Sequence, residues 1–365
     1  MTDTIIIGAG IIGCAIAERL ASEGRRVRVL DPRRAGGGAS QASAGVLAPL
    51  IEGHSSETLR RLGQRSLGMY DTFLDRVGGA AAVEYRRNGT IEVALTEDDA
   101  RRLGQAATVL AAEGVEAELV ASSALAAWAP YVAPRATAAL IVQEHGYVNV
   151  PALTAALARA AADAGAIFDT ARVTAIARGV GKVVVTTETG ALAAETVVLA
   201  AGSWAGGLPI EDAEPVPVRP VRGQLLYLCD EPGAIDRVVW GRDCYLVPWT
   251  DGTVLVGATV EDVGFDERAT ADGVAGLLAA ATALVPRLAH AAFGGVRVGL
   301  RPGSPDELPF VGISACVPGL VYATGHYRNG ILLAPLTAEL VARVVAGDTT
   351  DPALHALRPS RGGRL

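Results

Sequence analysis

Arg301 stands in Gly299-Leu300-Arg301-Pro302-Gly303, between an apolar run and a rigid turn. A guanidinium in such a place can grip a carboxylate in a two-pronged fork that lysine cannot reproduce. The competing reading is a surface arginine that flanks a turn. A second chemically loaded stretch is Gly325-His326-Tyr327-Arg328-Asn329-Gly330-Ile331-Leu332-Leu333-Ala334-Pro335, which follows the apolar run Leu320 to Ala323. The pattern predicts a strand that enters a glycine and then a helix that starts at His326. A helix N-terminus carries unpaired N–H groups and about half a positive charge, so a glycine-rich entry beside a basic residue suits an anion.

The anion is suggested at the other end of the chain. Gly8-Ala9-Gly10-Ile11-Ile12-Gly13 is a GxGxxG run between an apolar stretch, Thr4 to Ile7, and a helix expected over roughly Ile11 to Ser22. In that setting Gly8 permits the tight turn, Gly10 lets a pyrophosphate reach the backbone, and Gly13 lets helix and strand pack closely. Asp31 ends the next strand about 20 residues on, where a carboxylate can take ribose hydroxyls. The fingerprint marks a dinucleotide site and does not discriminate FAD from NAD. The remote stretch from His326 favours a flavin, because a helix N-terminus aimed at the ring's N1–C2=O2 edge would stabilise the anion formed on reduction.

These groups need a scaffold. At 365 residues the chain exceeds what one hydrophobic core usually supports, so two domains are expected. Strand, helix, strand at the N-terminus gives an α/β unit. Ser55 or Ser56 should cap a helix, Thr96 to Asp99 reads as a capping box, and Pro151 should open an Ala-rich helix at its first position. From Asn88-Gly89 onward the pattern changes to α+β, and the Pro-rich passage from Pro215 to Pro220 marks a crossing between domains. The net charge of -7 with mixed signs lacks the basic stripe of a nucleic-acid surface. Thr4 to Ala17 and Gly273 to Pro286, the longest uncharged runs, fall short of the ~20 residues of a membrane span. The first of them has no basic flank and is not read as a secretory signal. Four scattered cysteines and five histidines without ligand spacing point to a reduced, cytoplasmic protein with no structural metal.

The motifs TIIIGAGIIG, GASQASAGVLAP, VVLAAGSWAG, CYLVP, VLVGATVEDVGF, GLRPGSPDELPFVG and GHYRNGILLAP follow one another from residue 4 to about residue 345. Together they resemble the glycine oxidases, or ThiO proteins, of the D-amino-acid oxidase family of flavoproteins. The resemblance implies an α/β fold: a Rossmann-type, glutathione-reductase-like FAD-binding domain from residues 1–83, 146–214 and 297–365. A second α+β substrate domain, built on an antiparallel sheet, would comprise 84–145 and 215–296.

It further implies flavin and phosphate contacts from Ile11, Ile12, Asp31, Pro32, Ala39, Ser40, Ala44, Gly45, Val46 and Val173, with Gly8, Gly10 and Gly13, and from His326, Tyr327, Arg328, Asn329, Gly330, Ile331 and Leu332. Cys316 lacks the context of the cysteine that binds flavin covalently in the related sarcosine oxidases, so FAD should be held noncovalently. Arg301 would bind the carboxylate of an amino acid and Tyr245 would add a hydroxyl donor. Arg328 would serve both substrate and flavin, His326 would touch the cofactor, and Asp243 would lie on a rim or turn.

The implied reaction is oxidative deamination of glycine, sarcosine or a small D-amino acid, with O2 reduced to H2O2 and an imine that hydrolyses or feeds thiamin thiazole synthesis. Orientation carries it, and no side-chain base is required. Two departures bear on substrate size: bulky Ala48-Pro49-Leu50-Ile51 on the pocket side, and Val260 on the loop after Thr259. Alternatives are a flavin dehydrogenase for a larger D-amino acid or N-alkyl amino acid with a non-oxygen acceptor, a tRNA-modifying oxidoreductase, and a nonenzymatic nucleotide binder. The family also makes a homo-oligomer, such as a tetramer, the expected assembly.

Overall fold

The computed structural model describes residues 2–52 and 56–365, so the Ser55 alternative for a helix cap lies outside the described residues. The first strand, β1 (Thr4–Ile7), is buried along its whole length, as a strand covered on both faces must be. Helix α1 (Ile11–Ser22) follows, then β2 (Val27–Asp31), which pairs with β1 in parallel. Ile167–Thr170 extends the sheet beyond β2, while Thr196–Leu199, Leu320–Thr324 and Phe310–Ile313 extend it on the other side of β1. All neighbours are parallel except Phe310–Ile313.

One face of this sheet carries α1, Val150–Asp163 and Ala334–Val345, whose aliphatic side chains form one continuous core. The other face is covered by a three-stranded meander, Val173–Arg178, Val183–Thr187 and Gly190–Ala194, packed over Ile5, Ile7 and Leu199. This is the Rossmann-type arrangement expected from the first 31 residues.

A second sheet has eight strands in the order Ala292–Gly303, Arg219–Cys229, Thr253–Gly257, Tyr245–Pro248, Val238–Trp240, Thr90–Ala94, Ala138–Val142 and Ala117–Ala121. It is antiparallel except between Val238–Trp240 and Thr90–Ala94. Alternation splits its side chains: Leu226, Leu246 and Val256 join the helix Ala271–Leu284 in an outer core, while Leu225, Val247 and Leu255 face Ala44, Val46 and Tyr147. The Pro-rich passage leads into Arg219–Cys229, the strand that pairs along eleven residues with Ala292–Gly303.

Capping chemistry follows the sequence closely. Ser56 accepts from the Leu59 amide at 3.2 Å and Thr96 from the Asp99 amide at 3.2 Å. At the Ala-rich helix the cap is Asn149, which accepts from Ala152 at 3.1 Å, and Pro151 is the second helical residue rather than the first. The larger correction concerns the C-terminal stretch. Residues 326–332 do not start a helix; they form successive turns, and the helix begins at Ala334. Two features prevent helix there: Tyr327 is left-handed with φ 47°, and its amide donates to the Pro302 carbonyl at 2.9 Å. From beneath, Tyr70 donates to the Ile331 carbonyl and Ser66 to that of Leu332, both at 2.6 Å.

Among the described residues no helix is long and apolar enough to cross a membrane, and no His, Cys, Asp or Glu cluster could hold a metal ion.

Because Tyr70 is fully buried and its hydroxyl anchors the turns, Tyr70→Phe should lower stability by about 1 kcal/mol, the net worth of a buried hydrogen bond. Urea unfolding checks this, and an unshifted midpoint would contradict it.

Candidate active site

β1, β2, Thr196–Leu199 and Leu320–Thr324 run in parallel, and their carboxyl ends open into one cleft enclosing about 1770 Å³ of space, its open mouth included. β1 is where the connections diverge, to β2 on one side and Thr196–Leu199 on the other, which is where open α/β sheets bind ligands.

The three fingerprint glycines serve different needs. A Cβ on Gly8 would collide with the Ala200 carbonyl, and one on Gly13 with the Gly8 carbonyl, so both are required by internal packing. A Cβ on Gly10 would meet only Ser40 Oγ, at 3.5 Å. Nothing inside the protein demands glycine there, so the open space beside it is what a pyrophosphate would use. Of the N–H groups at the start of α1, that of Ile11 donates to Ser40 Oγ at 3.0 Å. Those of Ile12 and Gly13 have no intrahelical acceptor, as for any first helical turn.

Asp31 accepts from the Ala9 amide through Oδ2 and from the Arg33 amide through Oδ1, each at 2.7 Å. The carboxylate therefore pins the glycine turn while its remaining lone pairs stay available on the cleft wall. A cleft, a helix start with free-facing amides beyond the one that Ser40 takes, and a carboxylate at the end of β2 together fit a dinucleotide.

At the other end the second sheet closes over the cleft. Arg301 projects from Ala292–Gly303 into the space above Gly223, where any side chain would overlap its guanidinium. Its Nη1 donates to the Thr259 carbonyl at 2.9 Å and reaches the Arg222 carbonyl at 3.5 Å. Among the described residues no carboxylate lies within ion-pair distance of Arg301. The Tyr245 ring lies across Gly257 and tilts against Trp240, with centroids 4.8 Å apart.

His326 is buried, with Nε2 3.0 Å from Thr337 Oγ1, and burial pushes its pKa down to about 3. The imidazole is thus neutral at any working pH. Arg328 is exposed at the rim, its guanidinium 5.3 Å from the Tyr327 ring.

Of the sequence-predicted positions, Gly8, Gly10, Ile11, Ile12, Asp31, Pro32, Ala39, Ser40, Ala44, Gly45, Val46, Val173, Tyr245, Arg301, His326, Tyr327, Arg328, Gly330 and Ile331 line the cleft. Gly13, Asn329 and Leu332 do not: Gly13 packs on Gly8, Asn329 turns the chain toward Leu333, and Leu332 is core. Asp243 is exposed in a turn, and Cys316 packs behind the parallel sheet. The pocket-side segment also divides: Leu50 joins the core with Leu103 and Leu140, whereas Ile51 packs against the cluster of Ala44, Val46 and Tyr147. Val260 is half exposed on its loop and is not part of the lining.

Sequence reasoning missed Arg33, Ser203 and Trp204, which also line the cleft. Ser203 and Trp204 follow a strand's carboxyl end, the signal that could have found them. Arg33 lies 4.5 Å over the Trp204 ring.

Comparison with known proteins agrees with this geometry. Residues 3–344 match the DAO family, described as FAD dependent oxidoreductase. The chain is 34% identical over 348 residues to the glycine oxidase of Geobacillus kaustophilus, covering 94% of this chain and 92% of that one. It is 35% identical over 368 residues to the bifunctional protein ThiO/ThiG of Nostoc sp., covering 98% of this chain and 55% of that one, so it spans about half of the two-part relative. The crystal structure of the Geobacillus kaustophilus glycine oxidase superposes with a TM-score of 0.92 at 33% identity, with 98% of each chain covered. The glycine turn at the helix start, the strand-end carboxylate and these similarities lead to one conclusion: the chain belongs to the DAO family of FAD-dependent oxidoreductases.

Proposed function

We propose that this protein oxidises glycine, and other small amines such as sarcosine and small D-amino acids, to the imine, with FAD held noncovalently and O2 reduced to H2O2. The observation that carries the reading is Arg301: a cleft-lining guanidinium, fixed by backbone carbonyls and, among the described residues, without a carboxylate at ion-pair distance. The similarity to glycine oxidases supplies the amine class.

In this reading residues 1–83, 146–214 and 297–365 form the FAD-binding part, and 84–145 with 215–296 the substrate part. Segments distant in sequence return to each sheet, which supports a discontinuous division, although residues 297–303 lie on a strand of the second sheet. Gly10, Ile12 and Asp31 would hold the dinucleotide, and Ala44 to Val46 with the turns from His326 to Ile331 would meet its ring, since all of them line one cleft. Bound FAD supplies the hydride acceptor and the route for electrons to O2. Arg301 forks the substrate carboxylate and Tyr245 donates to it, which fixes the Cα–H direction. Arg328 serves at the rim. Neutral His326 adds no charge to the pocket.

Among the described lining residues the only carboxylate is Asp31, at the nucleotide end. The substrate ammonium therefore gives its proton to water, and orientation supplies the catalysis. Overall, glycine, O2 and water become glyoxylate, ammonia and H2O2 when the imine hydrolyses. Similarity to a ThiO/ThiG protein supports a supply of that imine to thiamin thiazole synthesis. The four unpaired cysteines support a cytoplasmic site, and the family resemblance supports a homo-oligomer.

Glycine-dependent oxygen uptake with matching H2O2 is the expected result for purified holoenzyme. Turnover with a quinone or dye but none with oxygen would overturn the oxidase reading. Arg301→Ala should keep the flavin but lose roughly tenfold or more in apparent glycine affinity, since truncating one side of a buried charge pair costs about 2–5 kcal/mol. An unchanged KM would sink the assignment. The glycines should separate on substitution: Gly10→Ala should fold normally yet lose flavin, whereas Gly13→Ala should be destabilised by about 1–3 kcal/mol through overpacking. Visible absorbance of the purified variants and urea unfolding of their apoproteins read the two effects.

A further inference from the structure

The Thr259 carbonyl that takes Arg301 does not stand alone. Thr259 Oγ1 donates to Glu261 Oε1 at 2.5 Å and accepts from the Gln224 amide at 2.9 Å. Gln224 Nε2 donates to the same Glu261 oxygen at 2.8 Å. The other oxygen, Oε2, accepts from Arg222 Nη2 at 2.5 Å and from its Nε at 3.1 Å. Main-chain bonds run both ways between Arg222 and Glu261, at 2.9 and 3.0 Å. Arg222 is almost fully buried and also meets Asp266 at 3.1 Å.

Glu261 is thus saturated by four donors and has no capacity left for Arg301. Yet it fixes both residues, 222 and 259, whose carbonyls hold Arg301 Nη1. The local charges add to the same conclusion. Arg222 and Arg268 balance Glu261 and Asp266, which leaves the charge of Arg301 uncompensated until an anion arrives.

Resting on the proposed amine oxidation, we propose that Glu261 is a positioning residue: it holds Thr259 so that Arg301 stays extended, unpaired and aimed at the substrate carboxylate. The far end of the same loop is anchored separately, by Glu267 on Arg33 at 2.8 Å and Phe265 against Trp204. Flavin retention should therefore not depend on Glu261.

The test compares wild-type holoenzyme with Glu261→Ala, Glu261→Gln, Thr259→Val, Arg301→Ala and the Glu261→Ala/Arg301→Ala pair. It reads flavin content, kcat and KM for glycine, and binding of acetate by perturbation of the flavin spectrum. Glu261→Ala should raise KM and weaken acetate binding roughly tenfold, with flavin content retained and a smaller change in kcat. Glu261→Gln, which keeps an acceptor for Thr259, should recover most of the loss. Added to Arg301→Ala, Glu261→Ala should cost nothing further in kcat/KM, because coupled residues are not additive.

Wild-type acetate binding in Glu261→Ala, or full additivity in the double variant, would overturn the proposal. Should Glu261→Ala not fold, Thr259→Val, which removes only the hydroxyl, must show the same shift at smaller size or the proposal fails. Acetate binding needs no turnover. Absence of glycine oxidation would therefore refute the functional reading, while acetate binding indifferent to Glu261 would refute this one.

Discussion

A guanidinium that is held in place but not neutralised is the constraint on which the substrate end of this structure depends. Arg301 sits among backbone carbonyls, over a glycine that leaves it room, with Glu261 and Asp266 already committed to Arg222. Arg301 is partly buried, and withdrawing a charge from water without a partner carries a cost that an incoming anion would relieve. The two carbonyls reduce the cost by orienting dipoles at the cation without cancelling it. Had a carboxylate been placed beside Arg301, the cleft would lose the uncompensated cation that the proposed function assigns to the substrate carboxylate.

The proposed function also requires this cation to share one cleft with the glycine turn of β1, and the topology supplies that. The parallel strands deliver Gly8, Asp31, Ala200 and Thr324 to one edge, while the longest strand pair of the second sheet runs down to that edge and delivers Arg301. Gly299 makes the meeting possible: a Cβ there would press within 2.8 Å of Ala42, so the strand can lie directly on the Ala39–Ala42 turn. The turns from His326 to Leu333 are tied to both bodies, through Tyr327 to Pro302 and through Tyr70 and Ser66 to the helices below.

Much of this was legible in the residues, and what was not has physical reasons. Buried parallel strands read as aliphatic runs, and caps such as Ser56 and Thr96 announce themselves because side-chain acceptors must serve unpaired amides. The strand Ala292–Gly303 was hidden by its four glycines, which suggest a loop but in fact make room for Tyr227 and for the Ala39–Ala42 turn. The turns after Gly325 were mistaken for a helix start because the sequence shows the residues of an N-terminus but not the Tyr327–Pro302 bond that delays it. Individual cleft residues such as Arg33 and Trp204 were missed because their importance comes from a neighbour remote in sequence, and the Glu261 network is invisible for the same reason.

The central claim is that an uncompensated arginine selects a carboxylate-bearing amine for a flavin. Its most direct test is anaerobic mixing of the wild-type holoenzyme with glycine and, separately, with glycinamide, whose amine is retained but whose carboxylate is neutralised, following loss of the flavin's visible band. The account predicts rapid bleaching by glycine and bleaching by glycinamide slower by at least about tenfold, the loss expected when a charged group's partner is removed. Equal bleaching by both, or none by glycine, would contradict it.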